Sequence, residues 1–274
     1  MRAANGAKFP DHIADPIIVH PDVRRMLLTQ KAYTEAGRAL AIFLALQLDI
    51  EAKHPNPETR QEAADLVALL TPVAKAFITD NGYYATHLGM QVWGGHGYIR
   101  EAGMEQLMRD CRISQIYEGT NGIQAFDLLG RKVLADQGQK LRKFTKTIHH
   151  FCIAHRHNEI MRPFVEPLAK LITDISDITM HIGIASVQDR NEIGAAAHDY
   201  LRLIGHLTYA WLWARTAKVV SAQLAVHNGD PFYQAKLLTA RFYYAKLLPE
   251  VHTLTASIRA GAQTLMAFND THGY

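Results

Sequence analysis

A carboxylate beside a glycine, Glu118-Gly119, stands near the middle of the chain, and a glycine pair, Gly94-Gly95, stands upstream of it. Because glycine has no Cβ, a ligand can approach the backbone closely at such positions. Exposed backbone amides can then bind a pyrophosphate or polarise a carbonyl group. Each feature also has a plainer interpretation, since Gly94-Gly95 alone is typical of a helix C-cap and Glu118-Gly119 alone is typical of a helix end.

Three motifs follow one another in order and carry more information together. They are Gln91-Val-Trp-Gly-Gly-His-Gly-Tyr98, Met108-Arg-Asp-Cys-Arg-Ile113 and Ile116-Tyr-Glu-Gly-Thr-Asn-Gly-Ile-Gln124. This run resembles the C-terminal catalytic region of the flavin-dependent acyl-CoA dehydrogenases. The flanking segments His20-Pro-Asp-Val-Arg-Arg-Met-Leu27 and Asp127-Leu-Leu-Gly-Arg-Lys132 resemble the branch that includes 3-methylmercaptopropionyl-CoA dehydrogenase and carries an extra C-terminal helical domain.

The resemblance implies a catalytic role for Glu118. It would remove the α-proton of an acyl-CoA thioester while the β-hydrogen leaves as a hydride to flavin adenine dinucleotide (FAD). A carboxylate covered by an acyl chain and a flavin suits this task, because burial disfavours its charged form. The amide of Glu118 would donate to the thioester carbonyl and stabilise the developing enolate. Gly119 would lie against the thioester, where a side chain would collide with it.

The resemblance also implies two FAD-binding segments. The first contacts the adenosine-diphosphate end of the flavin across a subunit interface, and the second is a loop beside the catalytic carboxylate. Their residues are Gln91, Val92, Trp93, Gly94 and Gly95 in the first segment, and Thr120, Asn121 and Gly122 in the second. Many family members have glutamine at the position of Gly122, so only a backbone contact is expected there. An acyl-CoA substrate, a homo-oligomer, and an electron-transfer flavoprotein or oxygen as electron acceptor are further implications.

Family members carry an N-terminal helical domain and a β-domain before this region, and those domains supply most contacts to the flavin ring and the acyl chain. The flavin-binding arginine of the family also precedes the first matched helix, whereas residues 1–21 contain only Arg2, in surroundings that do not match. We therefore expect these 274 residues to be the C-terminal half of a dehydrogenase. By itself this half is expected to be inactive and to retain no stoichiometric FAD.

Two alternatives remain open. The chain could be a non-catalytic helical module for oligomerisation or partner binding, since the small-residue face of Ala32, Ala36 and Ala39 allows helices to pack closely. A separate polypeptide could also supply the missing domains.

Other constellations favour structural roles. His149, Cys152 and His155 could share a helix face and bind zinc, but no second pair of ligands supports a metal site. Arg109 and Asp110 are predicted to form a structural ion pair. An aromatic cluster is predicted to pack in the core or at an interface rather than to stack on nucleic-acid bases; it comprises Tyr209, Trp211, Trp213, Phe242, Tyr243 and Tyr244.

The composition is that of an ordinary globular protein. Hydrophobic residues make up 48% and charged residues 20%, and 29 basic against 26 acidic residues give a net charge of +3. This small excess does not favour a nucleic-acid partner, and no apolar run approaches the ~20 residues of a membrane span. The two distant thiols, Cys111 and Cys152, indicate reduced cysteines. We expect a cytoplasmic protein.

The pattern of apolar residues and helix breakers predicts an all-α fold. A first helix from residue 22 to 53 and a second from 58 to 93 are expected to form an antiparallel pair. The first is expected to bury Leu28, Ala32, Ala36, Ala39, Phe43, Leu46 and Ile50. Later helices are predicted over 123–134, 141–162, 168–187, 190–226 and 232–269, and the last is expected to kink at Pro249. The predicted organisation is an irregular segment (1–21), the dehydrogenase C-terminal helical domain (22–135), which resembles a four-helix bundle, and a second helical bundle (136–274).

Overall fold

The computed structural model describes residues 1–227 and 229–268. Every regular element within these residues is helical, so the predicted all-α fold is confirmed. None of the described helices has the length and apolarity needed to cross a membrane. The cytoplasmic location stays a prediction.

The first two long helices form the expected pair. Helix α1 spans Pro21–Lys53 and helix α2 spans Pro57–Trp93. Proline at the first position suits both helix starts, because that position needs no N–H donor. The Asn56 side chain caps α2 by accepting hydrogen bonds from Glu58 N at 2.7 Å and Thr59 N at 3.4 Å.

The buried face of α1 differs in part from the prediction. Ala32 and Ala36 are buried, and the buried positions continue through Leu40 and Leu44 at a spacing of four residues. Leu46, which was predicted to be buried, is 54% exposed. Buried residues spaced four apart form a stripe that winds slowly around a helix of 3.6 residues per turn. By Leu44 this stripe has turned away from the side of the helix that carries Leu46, so Leu46 is exposed.

Short elements follow α2 and lead to the candidate site. They are α3 (Gly95–Tyr98), α4 (Met104–Arg112) and α5 (Asn121–Phe126), and α5 continues into a π-helical segment, Asp127–Leu134. Single 3₁₀ turns lie at Ile17–Val19, Arg100–Ala102 and Ile113–Gln115.

The remaining helices are α6 (Gln139–His155), α7 (Arg162–Gln188), α8 (Asn191–Val226), α9 (Pro231–Phe242), α10 (Glu250–Arg259) and α11 (Gln263–Met266). The helix predicted over 232–269 is interrupted near the expected kink, because a π-helical turn (Tyr243–Leu247) and Pro249 separate α9 from α10. The predicted endpoint, Asn269, lies outside the described residues. Helix α7 begins six residues earlier than predicted, because Pro163 occupies its first turn without a steric penalty.

Residues 1–16 are irregular, as predicted, but they are organised around Asp15. The Asp15 carboxylate is 5% exposed and accepts hydrogen bonds from the backbone N–H groups of Ala3, Lys8 and Phe9 at 2.8 to 3.0 Å. A buried carboxylate with three backbone donors is well satisfied. This carboxylate therefore closes the segment into a folded loop before α1.

Helix α8 is the centre of the core. It buries side chains along most of its length and packs against α1, α2, α7, α9 and α10. The predicted aromatic cluster lies here, with Tyr209, Trp213 and Tyr243 at most 2% exposed. Buried residues from both sides of position 135 join one cluster. The predicted domain boundary itself stays a prediction.

Helices α2 and α8 approach each other closely at Phe77 and Gly205. A Cβ placed on Gly205 would lie 2.4 Å from Phe77 Cγ, so the ring rests directly on the glycine backbone. Phe77 is fully buried and cannot swing aside. Glycine at position 205 therefore sets the separation of the two helices.

A partly buried cluster of polar and charged side chains joins α8 to α10. Arg202 Nε donates to Glu250 Oε1 at 2.7 Å, and His206 Nε2 lies 3.2 Å from Glu250 Oε2. The Tyr243 hydroxyl lies 2.9 Å from His206 Nδ1. Burial acts to raise the pKa of Glu250, but His206 and Arg202 outweigh it and hold that pKa at about 2.

We predict that Gly205→Ala lowers the free energy of unfolding by about 1–3 kcal/mol, because the new methyl group overpacks against Phe77. Urea denaturation measures this. Gly194→Ala on the exposed side of the same helix has no atom within 4 Å and is the control; it should be neutral or stabilise by up to about 1 kcal/mol. Equal effects of the two substitutions would contradict the close contact.

We also predict a pH-dependent contribution from Glu250. Its folded pKa lies below its usual value of 4.5, so it stabilises the fold above that value and the stabilisation is lost as the pH falls toward 2. Glu250→Gln should destabilise the protein at pH 7, and its difference from the wild type should shrink between pH 5 and pH 2. Denaturation across this range measures it. A pH-independent difference would refute the pairing, and Glu166→Gln, at an exposed position on α7, is the control.

Candidate active site

Glu118 lies in a tight loop between the 3₁₀ turn Ile113–Gln115 and α5. Its φ of +55° is in the left-handed region, which costs a non-glycine residue about 1–2 kcal/mol. The loop is held by hydrogen bonds from Tyr117 N to the Ile113 carbonyl at 3.1 Å and from Gln124 Nε2 to the Glu118 carbonyl at 3.3 Å. The Glu118 residue is exposed. A strained, exposed carboxylate on a fixed backbone is typical of a functional position.

Gly119 continues the left-handed turn with a φ of +81°. A Cβ there would lie 3.1 Å from Gln124 Nε2, the atom that holds the Glu118 carbonyl. Glycine at this position is therefore required by the loop itself. The predicted contact of Gly119 with a thioester stays a prediction.

Thr120 and Asn121 are both engaged within the chain. The Thr120 hydroxyl caps α5 by accepting a hydrogen bond from Ile123 N at 3.3 Å. Asn121 is 8% exposed, and its side chain is hydrogen-bonded to residues of α2. Gly122 is exposed, and a Cβ there would meet nothing closer than 3.9 Å. Gly122 thus leaves room for a ligand to approach its backbone.

The first predicted FAD segment lies at the end of α2. Gly94 ends the helix with a φ of +60°, and its N–H donates to the Gln91 carbonyl at 3.0 Å. Trp93 is 56% exposed. Gly95 has nothing within 4 Å of its would-be Cβ and no positive φ, so nothing in the described residues explains a glycine there. Val92 and Trp93 line an open cavity of about 500 Å³ with Ile17 and His96.

The two predicted segments lie at different positions along α2. Asn121 contacts Asp80, whereas Gln91 stands three turns further along the helix. At 1.5 Å per residue this separation is roughly 16 Å. The structure therefore does not bring Gln91 and its neighbours to Glu118 within one chain.

Apolar side chains flank Glu118 in the sequence and remain exposed. Between 47% and 58% of their surface is accessible, and they are Ile113, Ile116, Tyr117, Ile123 and Phe126. Such a concentration of exposed apolar residues marks a surface that contacts a ligand or another protein segment. Sequence analysis missed this feature, because an apolar residue next to a helix start is usually buried.

The predicted ion pair of Arg109 with Asp110 is wrong. Arg109 Nε instead donates to Glu105 Oε2 at 2.6 Å. Residues four apart lie on one face of a helix, whereas adjacent residues point in different directions. The Arg109–Glu105 pair lies within α4 and does not cross to the Glu118 loop.

The histidine-rich stretch offers no arrangement for a metal. Cys152 is buried and burial raises the pKa of its thiol to about 11, whereas His149 is exposed. No three His, Cys, Asp or Glu side chains in the described ranges 1–227 and 229–268 form a group that could hold a metal ion.

Comparison with known families explains the motifs. Residues 5–134 match the family described as acyl-CoA dehydrogenase, C-terminal domain, and residues 144–269 match the family described as acetyl-CoA dehydrogenase C-terminal like. The chain belongs to the acyl-CoA dehydrogenase family. The resemblance stated from the motifs is confirmed.

Two relatives support this family assignment. The chain is 40% identical to 3-methylmercaptopropionyl-CoA dehydrogenase of Ruegeria pomeroyi over 86% of this chain and 40% of that protein. It is 33% identical to the broad-specificity linear acyl-CoA dehydrogenase FadE5 of Mycobacterium tuberculosis over 97% of this chain and 45% of that protein. The chain therefore spans less than half the length of these relatives.

Solved structures share the fold. Caenorhabditis elegans ACDH-11 in complex with C11-CoA matches with a TM-score of 0.70 and 18% identity, over 86% of this chain and 37% of that chain. A Bacillus anthracis acyl-CoA dehydrogenase complexed with FAD matches with a TM-score of 0.67 and 16% identity, over 95% of this chain and 45% of that chain. At these identities the likeness concerns the helical fold.

Proposed function

We propose that this chain forms the C-terminal part of an acyl-CoA dehydrogenase site in which Glu118 abstracts the α-proton of an acyl-CoA thioester. The observation that carries the proposal is the geometry of Glu118, an exposed carboxylate held in a left-handed conformation between flanking apolar side chains. A general base needs a defined position and an approachable carboxylate oxygen. An acyl chain needs apolar neighbours.

The roles of the chain's own groups follow from this position. A Glu118 carboxylate oxygen takes the α-proton, and the Glu118 N–H donates a hydrogen bond to the thioester carbonyl oxygen. That hydrogen bond stabilises the negative charge that develops as the proton leaves. Gly119 leaves room for the thioester beside the base.

The exposed residues also fit a flavin. Gly95 and Gly122 lack close neighbours in this chain, so their missing Cβ atoms allow a ligand to approach the backbone. The chemistry that FAD supplies when bound is acceptance of the β-hydrogen as a hydride. The separation of Gln91 from Glu118 supports the implied arrangement in which the segment of Gln91, Val92, Trp93, Gly94 and Gly95 serves the site of a second subunit. Thr120, Asn121 and Gly122 then belong to the loop beside the base.

The other partners follow from the same family relationship. An acyl-CoA is the substrate, the protein assembles as a homo-oligomer, and an electron-transfer flavoprotein or oxygen accepts the electrons. The CoA thioester ligand of the nematode relative and the FAD of the Bacillus anthracis relative support the substrate class and the cofactor.

The alternative of a non-catalytic partner-binding module rested on the missing N-terminal half and on a small-residue helix face, and the burial of Ala32 and Ala36 weakens the second of these. Ala32 and Ala36, whose small side chains suggested a docking face, are at most 2% exposed and are covered by other helices of this chain. Their size serves the internal packing of α1 instead.

We predict that Glu118→Gln, in a complete enzyme that includes the N-terminal and β-domains, abolishes α-proton exchange of a bound acyl-CoA while FAD stays bound. Loss of a general base lowers the rate by about 10²–10⁴-fold. Isotope exchange at the α-carbon and the flavin absorption spectrum measure the two effects. Glu62→Gln, at an exposed position on α2, is the control and should leave both unchanged. Unchanged turnover of the Glu118→Gln variant would refute the role of Glu118 as the base.

We also predict that the purified chain alone carries no stoichiometric FAD and has no dehydrogenase activity. Glu118 and its apolar neighbours are open to water, so nothing in this chain excludes solvent from the reaction. The absorption spectrum after purification, and again after incubation with excess FAD and gel filtration, is the measurement. A retained flavin band at a one-to-one ratio would contradict this prediction.

A further inference from the structure

The side chain of Asn121 is fully used inside the protein. Its Nδ2 donates to Asp80 Oδ1 at 2.6 Å and to Thr79 Oγ1 at 3.0 Å. Its Oδ1 accepts from Lys75 Nζ at 2.6 Å. An amide has two donor hydrogens and one acceptor oxygen, so these contacts occupy both ends of the group. The Asn121 side chain is therefore an anchor to α2.

A second residue reaches the same carboxylate from the other side of Glu118. Gln115 Nε2 donates to Asp80 Oδ1 at 2.7 Å. Gln115 precedes the loop 116–120 and Asn121 follows it. Asp80 thus holds both ends of the segment that contains Glu118.

Lys75 balances the charge of this arrangement. Its ammonium group donates to the Asn121 amide oxygen at 2.6 Å, and the carboxylates of Asp80 and Glu118 act on it through their charge. Burial lowers the pKa of Lys75, and the two carboxylates oppose that shift. Lys75 and Asp80 stand one and a half turns apart on α2 and both bond to the Asn121 amide. One short stretch of α2 therefore provides all of these contacts to Asn121.

We propose that Asp80 is a positioning residue for proton abstraction, because it clamps Gln115 and Asn121 to α2 and so fixes Glu118 in its left-handed conformation. The inference rests on the proposed role of Glu118 as the base. Without the clamp, the loop 116–120 relaxes from its strained backbone geometry, and the carboxylate loses its fixed position relative to the substrate. A misplacement of about 1 Å at a reacting group can lower a rate by about 10²-fold.

Exchanging the side chains of Asp80 and Asn121 tests this proposal directly. Asn121→Asp sets two carboxylates against each other where the structure has a hydrogen bond of 2.6 Å. Asp80→Asn keeps a hydrogen-bonding group but removes the negative charge near Lys75, so its effect should be weaker. In the double variant Asp80→Asn with Asn121→Asp, the new amide donates to the new carboxylate, which also accepts from Lys75. The Gln115 side-chain amide only has to rotate so that its oxygen accepts a hydrogen bond from the new amide at position 80.

The first measurement is amide hydrogen exchange in the 274-residue chain. Asn121→Asp should speed exchange of the Ile116 and Tyr117 amides, which donate to the Ile113 carbonyl, by about tenfold or more, and the double variant should restore it to within about threefold of the wild type. Asp65→Asn is the matched control, because Asp65 lies on the same helix and pairs with Lys143 of α6. It should leave exchange of the Ile116 and Tyr117 amides unchanged. Unaltered exchange in Asn121→Asp, or no recovery in a folded double variant, would overturn the clamp.

Gln115→Ala is the second variant, and it tests the clamp if Asn121→Asp does not fold. Gln115 is only half-buried, and its loss removes one side of the clamp while leaving the Asn121 cluster intact. Faster exchange of the Ile116 and Tyr117 amides supports the clamp, and wild-type exchange refutes it.

The second measurement is kinetic and uses the complete enzyme. Asn121→Asp should lower kcat by about tenfold or more with little change in KM, and the double variant should recover most of it. If the loop exchanges faster but kcat is unchanged, the positioning role is refuted while Glu118 can still be the base. If Glu118→Gln retains turnover, the proposed function fails, and the exchange data alone then decide whether the clamp exists.

Discussion

The contact between the Phe77 ring and the backbone of Gly205 holds α2 against α8, and the rest of the molecule is arranged around it. The His206 ring meets Phe77 edge-on with their centroids 5.0 Å apart, and the Arg202 guanidinium lies 5.6 Å from the centre of the Phe77 ring. Lys75 and Asp80 lie on the same helix, two residues before and three residues after Phe77. The helix that anchors the Glu118 loop is therefore fixed by a helix from the second half of the chain.

Ionic and hydrogen-bonded contacts at this junction connect α8, the π-helical turn and α10. Arg202, His206 and Glu250 sit where α8 meets α10, and an isolated buried charge would destabilise the fold. Their mutual pairing, with the Tyr243 hydroxyl on His206, satisfies the arrangement only when α10 has its observed register. Pro249 and the preceding π-helical turn interrupt the last helix and allow α10 to take that register.

Local sequence signals gave the helical fold and most helix ends. Pro21 and Asn56 define helix starts through their own geometry and hydrogen bonding, so they can be recognised without the rest of the chain. The prediction was wrong at Leu46, where packing decided the outcome, and at Arg109, where the spacing of residues on the helix decided it. Leu46 is exposed because the neighbouring helices cover a stripe of α1 that winds away from it. Arg109 pairs with Glu105 because residues four apart lie on one face of a helix.

The motif order by itself determined the family, the helical class and the candidate residues, because those depend on residue identity and spacing along the chain. Tertiary structure decided what the residues around Glu118 do. The partners of Asn121 and Gln115 lie on α2, 35 to 46 positions away in the sequence, and no local pattern reveals a hydrogen bond across such a distance. Only the packing of the loop on α2 turned Asn121 inward and separated Gln91 from Glu118.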